Sequence, residues 1–215
     1  MHIKISEILH KRIYFFLLLL LSPGFWWVIF QPINASIELV NFPINVKRKV
    51  TSIFSDEKLR YVEEMRWNAF SEEKEELISR LYYNKAMVLV DNSFEYLSLL
   101  SPRIYFQAGD GTEFSPPGVE PVPFFAFVFW VFGLIKLAKQ KEFKPLFLLL
   151  AFPLFGFLAG ARNLVFLFPV LLLYIYIASQ GIELLINECK KRNLIIGLLI
   201  IYGVFIISRA LWLTC

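Results

Sequence analysis

The sequence predicts an all-α polytopic membrane protein with about five transmembrane helices and one mostly helical extracytoplasmic loop. Hydrophobic residues make up 57% of the 215 residues and charged residues 19%, whereas a soluble domain carries roughly 45–50% and about 25%. Phenylalanine occurs 23 times, which is more rings than a water-soluble core of this size can enclose. The apolar residues also form long runs, and a helix can carry such a run across a bilayer with every backbone group paired.

Five apolar runs are candidate spans, because a helix needs roughly 20 residues to cross a hydrocarbon core about 30 Å thick. They cover residues 13–31, 121–138, 145–160, 163–179 and 194–214. The Ser22-Pro23-Gly24 sequence is expected to kink the first run, because proline removes a helix hydrogen bond. Only Ala161 and Arg162 separate the third run from the fourth, which predicts a tight helical hairpin.

Basic residues lie at alternate ends of these runs. They concentrate before the first run, between the second and third, and between the fourth and fifth, whereas residues 32–120 hold 10 Lys or Arg and 14 Asp or Glu. The positive-inside rule then predicts a cytoplasmic N-terminus and first span over residues 1–31, an extracytoplasmic loop over 32–120 and a four-helix transmembrane region over 121–215. The lipid bilayer is therefore a predicted partner. Nucleic acid is not, because the basic residues flank apolar runs and form no stripe.

The loop is predicted to begin as extended chain over residues 32–55 and to continue as three helices. One helix begins at Ser55 or Asp56 and the next at Ser71, since each of these residues is suited to cap a helix. A third helix covers residues 85–100. Its apolar stripe is expected to lie on the bilayer surface or on the other helices, and it comprises Met87, Val90, Phe94 and Leu97.

The chemistry of the loop concentrates just before the second span. Gly109-Asp110-Gly111 and Pro116-Pro117-Gly118 predict tight turns at its outer mouth. Two interpretations of Asp110 and Glu113 in this segment stay open. Their carboxylates are suited to a cation, a sugar hydroxyl or general-base work, and they are equally suited to be solvated turn residues.

Arg162 lies in the predicted outer hairpin, where two interpretations also stay open. Its planar guanidinium can bind a lipid phosphate, or the side chain can extend to the lipid headgroups without a specific role. No metal or cofactor is predicted. Both histidines, His2 and His10, lie at the N-terminus, and the sequence has neither a nucleotide-binding glycine loop nor an HExxH motif.

Several short motifs follow one another in an informative order. They are Ser52–Asp56, Tyr83–Lys85, Tyr96–Ser98, Ser101-Pro102, Tyr105-Phe106, Gly109-Asp110, Ser115–Gly118 and Ala161–Asn163. This order resembles the C-terminal half of bacterial C-type membrane glycosyltransferases. The group includes the polyprenyl- or dolichyl-phosphate-mannose protein mannosyltransferases of family 39 and the lipid A aminoarabinose transferases.

The resemblance implies transfer of a sugar from a polyprenyl-phosphate donor to an extracytoplasmic acceptor at the bacterial inner membrane. It makes Arg162, Asp110, Glu113 and Tyr105 the candidate substrate-binding residues. The family's catalytic carboxylate lies in an N-terminal half that this sequence lacks, so the chain is expected to be inactive alone and to need that half as a partner.

Two other functions stay open from the sequence. One is a non-catalytic membrane subunit or scaffold that docks a partner membrane protein through its outer helices. The other is a transporter or channel component, and the scarcity of ionisable residues within the apolar runs argues against it.

Overall fold

The computed structural model describes residues 13–69, 83–160, 162–189 and 192–214, and these ranges contain helices and no β-strand. The prediction of an all-α fold is confirmed for the described chain. The helices are α1 Ile13–Leu20, α2 Pro23–Phe30, α3 Pro32–Ser52, α4 Asp56–Ala69, α5 Lys85–Ser98, α6 Ala126–Gln140, α7 Lys144–Ala151, α8 Pro153–Ala159, α9 Leu164–Cys189 and α10 Arg192–Thr214. A π-helical turn, Ile104–Ala108, leads into the loop before α6.

Helix α9 is the centre of the fold. It packs along α6 and also contacts α2, α3, α7, α8 and α10. Leu167, Leu171, Ile175 and Ile182 of this helix have no exposed surface. Within the described residues, Leu164–Asn187 is the one unbroken helix long and apolar enough to cross a bilayer. Because the core helix of a soluble protein has the same character, this helix alone indicates a membrane only weakly.

The first predicted span is bent by 67° between α1 and α2. The bend lies where the sequence predicts a kink, and the Ser22 hydroxyl donates to the Leu18 carbonyl there at 2.6 Å. The Gly24 amide donates to the Pro121 carbonyl at 3.0 Å. A Cβ on Gly24 would lie 2.8 Å from the Cβ of Pro121, so this close approach requires glycine. Together the two helices have the length and composition of one broken span or of a re-entrant loop.

The other apolar runs form helices with different bounds from those predicted. The 145–160 run divides at Phe152 into α7 and α8, because a proline follows that residue. Helix α9 extends the 163–179 run to Cys189, and α10 covers the whole 194–214 run. Since one unbroken helix among the described residues meets the length and hydropathy of a crossing, the number of spans stays a prediction.

The prediction of extended chain over residues 32–55 is wrong, because α3 occupies most of that segment. One face of α3 carries Ala35, Phe42 and Lys49 at seven-residue spacing, and Ala35 and Lys49 are buried. The ring of Phe42 packs against rings of α8 and α9, with centroids 6.4 and 5.4 Å away. This docking stabilises a helix that local propensity disfavours, since Pro43 lies in its interior.

Two of the loop helices lie where the sequence predicts them. The Ser55 hydroxyl accepts from the backbone amide three residues later at 3.5 Å, at the start of α4. The Asn84 side chain caps α5 by accepting from the amide two residues later at 2.7 Å. The predicted stripe of α5 lies on one exposed face, which includes Val90, Phe94 and Leu97. The helix predicted after Ser71 falls outside the described residues.

Candidate functional site

The loop that leads into α6 turns at glycines in the left-handed region. Their φ angles are +65° at Gly109, +82° at Gly111 and +79° at Gly118, which confirms the predicted turns. Between the first two, Asp110 Oδ1 accepts hydrogen bonds from the amide and the hydroxyl of Thr112 at 2.8 and 2.6 Å. These bonds hold the Asp110 carboxyl group in one orientation.

Asp110 is the loop carboxyl group with a perturbed environment. Burial raises its pKa, and the Thr112 hydrogen bonds and the nearby backbone amide of Leu164 oppose that effect by favouring the charged form. Its second oxygen, Oδ2, is buried without a hydrogen-bond partner in the described chain. The group therefore has one acceptor position available at the start of α9.

Glu113 connects the loop to the start of α3. Its Oε2 accepts a hydrogen bond from the Asn34 side chain at 3.1 Å. Its backbone carbonyl accepts one from the Gln31 side chain, also at 3.1 Å. The carboxyl group is exposed and lies next to the junction between α2 and α3.

Tyr105 lies in the core and has no exposed surface with which to contact a ligand. Its hydroxyl donates to the Leu99 carbonyl at 2.8 Å, and its ring stacks on Tyr174 with a centroid distance of 4.3 Å. The Trp130 ring in turn stacks on the Tyr174 ring, with a centroid distance of 5.1 Å. The geometry therefore assigns Tyr105 to packing, in place of the direct substrate contact expected from the sequence.

Arg162 is exposed in the turn between α8 and α9, and its Nη2 donates to the Ser98 hydroxyl at 3.1 Å. Glu95, which lies on the same helix as Ser98, forms an ion pair with Lys49 of α3. The Lys49 Nζ lies 2.6 Å from both carboxylate oxygens of Glu95. Lys49 also lies 4.8 Å from the ring centre of Phe157 in α8. These contacts hold α8 and the α8–α9 turn against α3 and α5.

The largest cavity we describe is lined by none of the four predicted site residues. We call it the bend groove, and it is an apolar space of about 620 Å³ between the α1–α2 bend and α10. Its lining includes Leu20, Pro23, Trp26, Trp27, Phe30 and Gly203. A groove of this size and lining is suited to a flexible hydrocarbon chain.

The bend groove has a polar end at Gln31. The Oε1 of this side chain is buried without a partner in the described chain, and its Nε2 donates to the Glu113 carbonyl. Glu113 is thus the predicted site residue that bonds directly to a residue lining the bend groove, through its backbone carbonyl. Arg162 bonds to Ser98, whereas Asp110 lies at the backbone amide of Leu164 and interacts electrostatically with Tyr105.

Sequence reasoning missed the bend groove. The kink at Pro23 and the tryptophan pair that follows it are visible in the sequence, and together they indicate a widened aromatic surface. The opposite wall comes from Gly203, far along the chain, and no spacing rule connects it to the kink.

Among the described residues, no three His, Cys, Asp or Glu side chains cluster as metal ligands do. Comparisons with protein-family models, with curated proteins and with solved structures find no significant match. The interpretation of the site therefore depends on its geometry.

Proposed function

We propose that the protein binds a polyprenyl-phosphate-linked sugar at the bend groove, as the non-catalytic C-terminal portion of a C-type membrane glycosyltransferase. The observation that carries this proposal is the bend groove itself, an aromatic and aliphatic channel of about 620 Å³ with one buried polar end. The groove takes the isoprenoid chain, and the Gln31 and Glu113 end takes the polar head.

The buried polar atoms support this orientation. A lipid that placed only hydrocarbon in the groove would leave Gln31 Oε1 without a hydrogen bond, which is costly for a buried acceptor. A sugar hydroxyl at that end supplies the missing donor. Phosphate binding by Arg162 stays a prediction, since the hydrogen-bond acceptor observed for its guanidinium is the Ser98 hydroxyl.

We further propose five spans, with the N-terminus in the cytoplasm and residues 32–120 on the outer side of the bacterial inner membrane. The exposed apolar face of α3 supports contact with lipid outside the bundle. Its members lie at helical spacing and are more than half exposed, and they are Ile33, Ile37, Val40 and Ile44.

Cysteine labelling tests this topology. In a Cys189→Ser/Cys215→Ser background, the exposed residues Pro117 and Gln140 are each replaced with cysteine. A membrane-impermeant maleimide added to intact spheroplasts is expected to label Pro117→Cys and to spare Gln140→Cys until the cells are lysed. Labelling of both residues, or of Gln140→Cys alone, would contradict the proposed orientation.

Filling the bend groove is expected to weaken lipid binding. A Cβ on Gly203 has its nearest neighbour, Leu21 Cδ2, at 3.8 Å, so Gly203→Leu projects a side chain into the groove without a backbone clash. We expect the Kd for purified polyprenyl phosphate, measured by native mass spectrometry, to rise by about tenfold or more, since a lost aliphatic contact of about 1.4 kcal/mol gives that factor.

A matched control lies on the same helix. A Cβ added to Gly197 meets no atom within 4 Å, and this residue does not line the bend groove. Gly197→Leu is expected to bind polyprenyl phosphate as the unmodified protein does. Equal affinities for Gly203→Leu and the unmodified protein, or no lipid binding by either, would overturn the proposal.

The scaffold function is a second candidate, and the exposed apolar surfaces of α3 and α5 favour it. A stable partner membrane protein, including a separate N-terminal half, would cover Val40 and Phe94, which are 76% and 66% exposed. Co-purification of such a partner by a protein that binds no polyprenyl phosphate would favour the scaffold.

A further inference from the structure

A second cavity, separate from the bend groove, lies between α4 and α5. It measures about 210 Å³, and we call it the loop pocket. Its lining includes Lys58, Tyr61, Asp91, Asn92 and Glu95. The volume lies below the roughly 300–1,000 Å³ that drug-sized ligands occupy, so the pocket is suited to one small molecule.

Asn92 supplies an unused acceptor to this pocket. The residue is 7% exposed, and its Nδ2 donates to the Val88 carbonyl at 2.6 Å. That bond fixes the orientation of the amide, because the reversed amide would place two oxygen atoms against each other. Its Oδ1 is consequently left buried with no partner in the described chain. A buried unpaired acceptor is costly, and a ligand that brings an O–H or N–H donor removes that cost.

The charges around the pocket favour a neutral donor over a cation. Asp91, Glu95 and Lys58 line the pocket, and Lys49 forms an ion pair with Glu95. Lys49 already holds both oxygens of Glu95 at 2.6 Å. The formal charge of these four groups is therefore balanced, and a cationic ligand would enter without a net opposite charge to pair with.

The remaining lining is apolar or aromatic. Val62 and Val88 are buried and form apolar wall, and the half-exposed ring of Tyr61 lies at the rim. Acceptors, one ammonium donor and an aromatic face together match a molecule with hydroxyl groups on one side and C–H groups on the other.

We propose that the loop pocket binds a single neutral sugar ring. Asn92 Oδ1 and the Asp91 carboxylate accept hydrogen bonds from its hydroxyl groups, Lys58 donates to its oxygen atoms, and Tyr61 packs on its C–H face. This site does not depend on the lipid-binding function proposed above. It would suit a saccharide acceptor or an end of a glycan that approaches the loop.

Ligand-observed NMR on the full chain in lipid nanodiscs tests the proposal, with D-mannose, D-glucose, ethanolamine and D-glucuronate as probes. We expect saturation transfer to the neutral hexoses and little to the ammonium or carboxylate probes. Asn92→Leu is expected to raise the hexose Kd by about fivefold or more, because it removes the buried acceptor. Ser93→Ala is the matched control on the same helix, since Ser93 is exposed and bonds only to its own helix in the structure.

Asp91→Asn provides a second variant that does not rely on a buried position, since Asp91 is exposed, and it too is expected to weaken hexose binding. Absence of hexose binding, a preference for ethanolamine, or an unchanged Kd in both variants would overturn the proposal. Polyprenyl phosphate binding is expected to be the same in Asn92→Leu and the unmodified protein. The proposal of hexose binding at the loop pocket can therefore be overturned independently of the proposal of lipid binding at the bend groove.

Discussion

Gly181→Ala is expected to destabilise the protein severely, although it adds only one methyl group. A Cβ on Gly181 would lie 1.8 Å from the Phe129 carbonyl oxygen of α6, which is inside the contact distance of the two atoms. Gly133 of α6 faces the same crossing, since its Cβ would lie 1.9 Å from the Ile177 carbonyl oxygen. The clash is with backbone, which cannot rotate away as a side chain can. Helices α6 and α9 therefore have to separate.

We expect a loss of about 3 kcal/mol or more in the free energy of unfolding, the upper part of the range for overpacked cores. Reversible unfolding in mixed micelles, followed by circular dichroism, measures it. Gly197→Ala is the control, because a Cβ there meets no atom within 4 Å. Alanine is the better helix former by about 1 kcal/mol, so the control is expected to gain stability. Equal stabilities of the two variants would show that α6 and α9 do not cross at these glycines.

The positions of most helices follow from local sequence patterns. Apolar runs predict the cores of α6 and α9, Ser55 predicts the start of α4, and the glycine turns around Asp110 appear as expected. These features depend on residues within a few positions of one another. Composition and turn chemistry are therefore enough to place them.

Helix α3 shows the limit of this reasoning. Its polar residues and Pro43 make the local sequence typical of extended chain, and its stability comes from the docking of Phe42 and Lys49 on distant helices. The seven-residue spacing of Ala35, Phe42 and Lys49 indicates a packed helix face only when the helices that cover this face are known. Tertiary contacts thus outweigh local propensity here.

The residues predicted for the site occupy different environments, and the substrate-binding role of Asp110, Glu113 and Arg162 stays a prediction. Asp110 and Glu113 lie in ordered hydrogen-bonded positions, whereas Tyr105 is a core residue and the bend groove joins segments that are remote in sequence. A tyrosine in a motif-like segment has no sequence feature that separates a ligand contact from a core contact. Cavities arise from packing between elements, which a linear pattern does not encode.

Lys136 forms a buried ion pair whose loss has an energetic consequence. It lies within the predicted 121–138 span, and in the structure its ammonium group is buried between α6 and α9. Its Nζ donates to Gln180 Oε1 at 2.8 Å and contacts Glu183 Oε2 at 2.7 Å. The two charged side chains are 9% and 15% exposed. The proposed orientation therefore depends more on the exposed lysines that follow, of which Lys139 is the first.

Lys136→Met is expected to cost about 3 kcal/mol, because it removes the ammonium group that contacts the part-buried Glu183 carboxylate and the buried Gln180 Oε1. The apolar pair Lys136→Met/Glu183→Leu is expected to recover part of that loss, since two packed aliphatic side chains need no desolvation of charge, whereas Gln180 Oε1 still loses the donor that Lys136 supplied. A double-mutant cycle on unfolding free energies in mixed micelles gives the interaction energy between the two residues directly.

Lys139→Met is the matched control for this cycle, because Lys139 is exposed on the same helix, and we expect it to change stability by no more than about 0.5 kcal/mol. A Lys136→Met variant as stable as Lys139→Met would mean that the pair is hydrated and that α6 and α9 are not tightly packed at this end. Because Gly133 and Gly181 lie about one helical turn away, the same loosening would also reduce the penalty of Gly181→Ala. The two experiments thus test one contact between α6 and α9 from independent directions, one through backbone distance and one through buried charge.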